Sequence, residues 1–275
     1  MNDEVPLPDL APLRDWFTSY CNSFRTADPD VQRNFDLKEE HTRNVCRDAL
    51  LIAQGMTPRF RMLAEVAALC HDLGRFPQFR DHHTFKDSES LNHAHLSAQV
   101  VKQHGLLDFL TVEEQSCVEI AVRMHNAFQV PEGLPPVTAD LLRLLRDADK
   151  LDIWRVFTEY FHAPEAERAS GAGLGFPDLP GCSAEPLAAI GAGKMVQLST
   201  LKSLNDFKLL QVSWIYDINY LATLRLIRQR SVLDQFAAML PEDRAVLDVL
   251  AQVREYLERR LQTADPIPAS GKRKH

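Results

Sequence analysis

An all-α fold is what this 275-residue sequence predicts. Three observations point there. Apolar residues recur at three- and four-residue spacing through nearly every long segment. Those segments open on cap signatures such as Thr57-Pro58 and Thr111-Val112-Glu113-Glu114 and close on Gly or Pro. The period-two alternation that marks strands is almost absent. Hydrophobic residues make up 45% of the chain and charged ones 25%, the balance of a water-soluble globular protein with a sizeable core. A formal net charge of −7 argues against a general nucleic-acid surface and leaves room for a local basic pocket. No apolar run approaches a membrane span, and Met1 to Leu10 is acidic and Pro-rich, unlike a signal peptide, so a cytoplasmic location is expected. Five cysteines are scattered with no CxxC, which suggests reduced thiols. Cys46, Cys70 and Cys117 lie in apolar helical patterns and read as small core residues.

In order, the pattern predicts a first amphipathic helix over Asp9 to Phe24. The next runs from Phe35 to Gln54, where Leu37, His41, Val45 and Ala49 share one face and Gly55 supplies the stop. Thr57 caps a third, with Pro58 at its first position. That helix is apolar almost all round from Leu63 to Cys70, so it should be buried. It ends in His71-Asp72-Leu73-Gly74-Arg75-Phe76-Pro77, with Gly74 expected to take the left-handed conformation of a helix stop. Phe76 to Ser88 is expected to be irregular. Helices should follow at Ser90 to His104, at Thr111 to about His125, and from Ala139, capped by Thr138, to about Phe161. Residues 163–193 carry several Gly and Pro residues and read as an extended loop with one short helix near Glu185 to Ile190. A C-terminal helical block covers about 201–261, and the tail 266–275 should be disordered. The whole is expected to be a single helical domain.

Titratable residues gather where these helices end or carry apolar faces. They are His41, the pair His71-Asp72, His93 and His95, His125, and Arg146-Asp147-Ala148-Asp149-Lys150-Leu151-Asp152 in a helix otherwise built of Leu, Ile and Trp. Singly, a core histidine is hydrogen-bonded and a helical acid-base run is a solvated face. Jointly, several imidazoles and carboxylates on buried helices need many partners, and a metal cluster satisfies them together.

On His41 in His-Thr-Arg-Asn-Val, His71-Asp72 in Cys-His-Asp-Leu-Gly-Arg-Phe-Pro, and Asp149 in Asp-Ala-Asp-Lys-Leu-Asp, the chain resembles the HD-domain superfamily. The resemblance covers about residues 35–160 and is nearest to a bacterial group with the His-Asp-Leu-Gly-Arg-Phe motif and extra histidines. It implies a helical HD core with an N-terminal helix and a C-terminal helical extension. It implies His41, His71, Asp72 and Asp149 as ligands of a first metal. His93, followed by Ser97-Ala98, and His125 fit the positions that hold a second metal in the binuclear branch, with Asp72 bridging the two as the catalytic carboxylate. His95 does not fit and reads as a supporting or surface residue. The implied cofactor is a divalent transition metal (manganese, iron, nickel, cobalt or zinc, with magnesium as a further candidate), two per chain with His93 and His125 as ligands, or one without them.

The implied activity is metal-dependent hydrolysis of a phosphomonoester or phosphodiester on a small molecule such as a nucleotide, through metal-activated hydroxide. Arg75, Lys150, Arg146 and Asn126 are the candidate substrate contacts. Arg75 and Lys150 are equally readable as salt-bridge partners at helix ends, and Asn126 as a cap. His82 and His83 read as exposed loop residues, and Phe76, Phe79 and Phe85 as core. Trp214, Tyr216, Asp217, Asn219 and Tyr220 form a polar-aromatic cluster that would suit the wall of a pocket. Two other readings share the ligand set: a mixed-valence di-iron oxygenase, and a metal-binding regulatory module without activity. Substrate identity and oligomeric state stay open.

Overall fold

The structure is a computed structural model that describes residues 6–172 and 175–263. The expected tail 266–275 lies outside the described residues. Among these residues there are helices and no strands, and no helix is long and apolar enough to cross a membrane. They divide into two compact units. One holds the chain up to Asp152 together with Pro164–Ala172. The other holds Ile153–Ala163 and residues 175–263.

The first unit opens with α1 (Ala11–Asn22) and α2 (Pro29–Ile52). α2 starts six residues before the periodicity suggests, because Asp28 caps it by accepting from the amides of Asp30 and Val31, with Pro29 at the first position. α3 (Pro58–Cys70) begins where the sequence places it, with Thr57 accepting from the Phe60 amide. Every residue from Met62 to Cys70 is buried. The small residues Ala64, Ala67 and Ala68 let α2, α5 and α6 close around it, which makes α3 the axis of this unit.

The segment after Gly74 corrects two expectations. It is not irregular at first: α4 spans Arg75–His82. Pro77 is its third residue, and a first-turn amide has no helical acceptor, so the ring removes nothing. Gly74 is not left-handed either, with φ −66°. Its role is close approach: a Cβ there would fall 2.3 Å from the His93 carbonyl oxygen and 2.5 Å from the Ser97 amide of α5 (His93–Gln103).

A loop with one 3-10 turn at Asp87–Glu89 leads to Asn92, which caps α5 by accepting from the amides of Ala94 and His95. α6 (Val112–Met124) opens on a full capping box between Thr111 and Glu114, and Glu114 also takes a two-pronged ion pair from Arg59 of α3. α7 (Pro136–His162) starts at Pro136, so Thr138 lies inside its first turn rather than before it. Residues Pro164–Ala172 return to the first unit, where Asn34 of α2 accepts from the Gly171 amide at 2.8 Å and donates to the Ser170 hydroxyl at 3.2 Å.

The second unit contains α8 (Ala184–Gly191), α9 (Leu204–Ser213), α10 (Leu221–Gln229), α11 (Val232–Ala238) and α12 (Arg244–Leu261). α12 packs on α8, α10 and α11. Asp206 ties α9 to the segment before α8 by accepting from the Ser183 amide and hydroxyl, both at 2.7 Å, and from the Lys202 amide at 2.9 Å. The polar-aromatic cluster Trp214 to Tyr220 belongs to this unit, as a short 3-10 turn at Trp214–Asp217 and the link into α10.

Candidate metal centre

The ends of α3 and α6, the start of α5 and the middle of α2 and α7 converge on Asp72. His71 follows the last residue of α3, and its Nδ1 lies 2.7 Å from the carbonyl oxygen of Ala68, one turn back. His125 repeats the arrangement after α6, with Nδ1 2.7 Å from the Val122 carbonyl oxygen. A carbonyl only accepts, so the network assigns the proton of each neutral ring to Nδ1 and leaves Nε2 with a lone pair. His41 and His93 are held by carboxylates instead. His41 Nδ1 lies 2.7 Å from Asp152 Oδ2, and His93 Nδ1 lies 2.7 Å from Asp87 Oδ2. All four rings are fastened from behind and present Nε2 inward, which is the way metal-binding histidines are oriented.

The inward atoms fall into two sets around the two oxygens of Asp72. Oδ2 lies 3.6 Å from His41 Nε2 and 3.8 Å from His71 Nε2. Those two nitrogens are 3.3 Å apart, and Asp149 Oδ1 is 3.1 Å from His41 Nε2. Oδ1 lies 3.5 Å from His93 Nε2 and 3.8 Å from His125 Nε2, which are themselves 3.1 Å apart. His41, His71 and Asp149 form one group able to hold an ion, and His71, Asp72 and His125 another. Neighbouring donors around an ion bound at about 2.1 Å sit roughly 3.0 to 3.4 Å apart, so this spacing fits one. Imidazole nitrogen with carboxylate oxygen suits the divalent transition metals.

Charge is arranged to match. Burial pushes the Asp72 carboxyl up, but Lys38, followed by His71, Arg75 and His93, outweighs it and holds the group well below the usual carboxylate range. Burial likewise opposes ionisation of Asp149, and hydrogen bonds from His41 and His71 reverse it. On His41, burial and Lys38 work downward, yet hydrogen bonds to Asp149 at Nε2 and to Asp152 at Nδ1 outweigh them and lift the ring to about 9. His125, buried and beside His93 and His71, is pushed down to about 3 and is held neutral.

Arg75 of α4 is anchored by Nη1, which donates to Gln78 Oε1, the Phe85 carbonyl and Asp87 Oδ1. Its Nε lies 3.5 Å from Asp72 Oδ1. Arg146 donates to the carbonyls of His125, Ala127 and Phe128, which closes the end of α6. Asn126 donates to Asp87 Oδ2 at 3.1 Å and Asn92 Oδ1 at 3.2 Å. Lys150 is buried on α7 next to Asp149. His95, His82 and His83 are exposed. Phe76 and Phe79 are core, whereas Phe85 is half-buried beneath two cations.

Lys38 and Asp87 escaped the sequence reading, which places Asp152 in a titratable run without its partner His41. Lys38 places Nζ 2.9 Å from Asp72 Oδ2. It stands one turn before His41 on the same helix face, a spacing that a search for partners of His41 would catch. Asp152 stands one turn after Asp149 by the same rule. Asp87 sits in an irregular loop, where no periodicity marks it.

The HD domain family model matches residues 39–154. No curated protein and no solved structure matches the chain.

Proposed function

We propose that this chain, whose residues 39–154 match the HD domain family model, is a metal-dependent phosphohydrolase with a two-metal site in which Asp72 would be shared. One observation carries this reading: each oxygen of Asp72 faces its own pair of inward Nε2 atoms. His41, His71, Asp149 and Asp72 would hold one ion, and His93 and His125, with Asp72, the other. Bound divalent ions would supply Lewis acidity and a hydroxide nucleophile at neutral pH.

The chain's own groups do the rest. Asp152 and Asp87 keep His41 and His93 aimed and raise their basicity as donors. Arg75, with Nη1 fixed by three acceptors, keeps its Nε edge beside Asp72, where a phosphoryl oxygen would arrive. Lys150 adjoins Asp149 and adds a second cation. Arg146 and Asn126 act at one remove: the first fixes the backbone of His125, the second fixes Asp87. The substrate class is a phosphorylated small molecule, nucleotides included.

The test combines elemental analysis of untagged protein with phosphate release from p-nitrophenyl phosphate, bis(p-nitrophenyl) phosphate and nucleotides, under each of the six metals. Metal-dependent release that disappears in Asp72→Ala is the expected result. Full activity in that variant overturns the site. Bound iron with substrate-dependent oxygen uptake and no phosphate release overturns the reaction and favours oxygenase chemistry.

A further inference from the structure

Lys38 has no role in the metal set, yet it touches the residue at its centre. Its ammonium lies 2.9 Å from Asp72 Oδ2 and 5.1 Å from the centre of the Phe85 ring, with the side chain 14% exposed. Among the described residues Asp72 is its one hydrogen-bond acceptor, so two of its three N–H groups stay available. Arg75 mirrors it on the other oxygen. The guanidinium carbon lies 5.7 Å from the centre of the same ring, and Nε, 3.5 Å from Oδ1, is buried with no hydrogen-bond partner among the described residues. An orphaned buried donor and a half-engaged ammonium thus flank one carboxylate.

Both cations lie over the Phe85 ring. Gly171 packs against it, since a Cβ on Gly171 would meet Phe85 Cδ2 at 2.7 Å, and Asn34 holds the Gly171 amide. The ring is thus packed against the segment that Asn34 fastens. Lys38 and Arg75 are balanced by Asp72 and Asp87 as long as Asp72 serves them alone. Any divalent ion drawing on Asp72 tips the balance positive on the face they line, and an anion with several acceptor oxygens restores it.

We propose that Lys38, Phe85 and Arg75 form a binding rim for the dianionic phosphate of a phosphomonoester, with Lys38 as a substrate-binding residue. This rests on the phosphohydrolase reading. A monoester carries close to two charges and three terminal oxygens at neutral pH, which match two cations with spare donors. A diester has one charge and two such oxygens, and needs room for a second ester arm.

The experiment compares wild type with Lys38→Met and Lys38→Arg, each loaded with the same metal. KM and kcat are measured for p-nitrophenyl phosphate and bis(p-nitrophenyl) phosphate, and calorimetry measures inorganic phosphate binding. Lys38→Met should raise KM for the monoester and weaken phosphate binding by about 10- to 100-fold, with the diester changed less than threefold, and Lys38→Arg should recover most of the loss. Metal stoichiometry should not move. Loss of metal in Lys38→Met, equal loss on both esters, or unchanged phosphate binding each overturns the rim. If neither ester is hydrolysed, a Lys38-dependent phosphate affinity keeps the rim and discards the hydrolase reading.

Discussion

His93 Nε2 and His125 Nε2 face each other at 3.1 Å, and each ring gives its other nitrogen to a fixed acceptor. Neutral rings so arranged bring two lone pairs together, which is stable only with a positive charge shared between them. On the proposed two-metal reading, His93→Ala should lower metal content from two ions per chain to about one, without unfolding the protein. Elemental analysis beside a thermal melt checks it. One ion in both proteins would return His93 and His125 to structural roles.

Asp87 accepts from His93, Arg75, Gln78 and Asn126, and so ties α4, α5 and the end of α6 together. Asp87→Asn keeps an acceptor and removes the charge. It should weaken the ion held by His93 by about 10- to 100-fold while leaving the ion beside His41 in place. Competitive metal titration against a chelating dye reads both affinities.

Gly74→Ala should cost about 3 kcal/mol, the upper end of overpacking effects, because the new methyl meets backbone atoms of α5 that cannot rotate away. Ser97→Ala removes the hydroxyl that accepts from the Gly74 amide and donates to the His93 carbonyl, and should cost about 1 to 2 kcal/mol. Urea unfolding of the two variants should rank them in that order. An equal loss would contradict the close contact.

Asp206 gives a pH dependence distant in sequence from the HD motifs. Burial raises its carboxyl, but hydrogen bonds from Ser183, Lys202 and Ser203 outweigh this and hold it below the ordinary value. A depressed folded-state pKa stabilises above the unfolded value, about 3.9, and that stabilisation fades as pH falls through the folded value. Wild type should exceed Asp206→Asn by about 2 kcal/mol at pH 7, with the gap narrowing below pH 4. Urea midpoints across that range measure it, and a gap independent of pH would rule the carboxylate out as its source.

The helices were legible where their ends carry local chemistry. Thr57-Pro58 and the Thr111–Glu114 box begin α3 and α6 as read, and the short helix expected near 185–190 is α8. The apolar run 63–70 announced a buried helix, and α3 is one. What stayed hidden depends on contacts across the fold. Gly74 looks like a helix stop until α5 lies against it. Ser97 looks like any small helical residue until its hydroxyl bridges Gly74 and His93. The six residues of the expected metal set stand together, with Lys38 one turn from His41 on the same helix, whereas Asp87 joins them only through tertiary placement.

The fastenings behind the four imidazoles differ in kind, and each oxygen of Asp72 has one of each. His71 and His125 are tied to carbonyls of their own helices, which no side-chain substitution can alter. His41 and His93 are tied to Asp152 and Asp87, which can be exchanged for Asn, Glu or Gln. Each side of the centre therefore has one invariant donor and one adjustable donor. Drift or engineering can retune the electron richness of the two sides independently, one carboxylate at a time, while the helical frame goes on holding the other two rings in place.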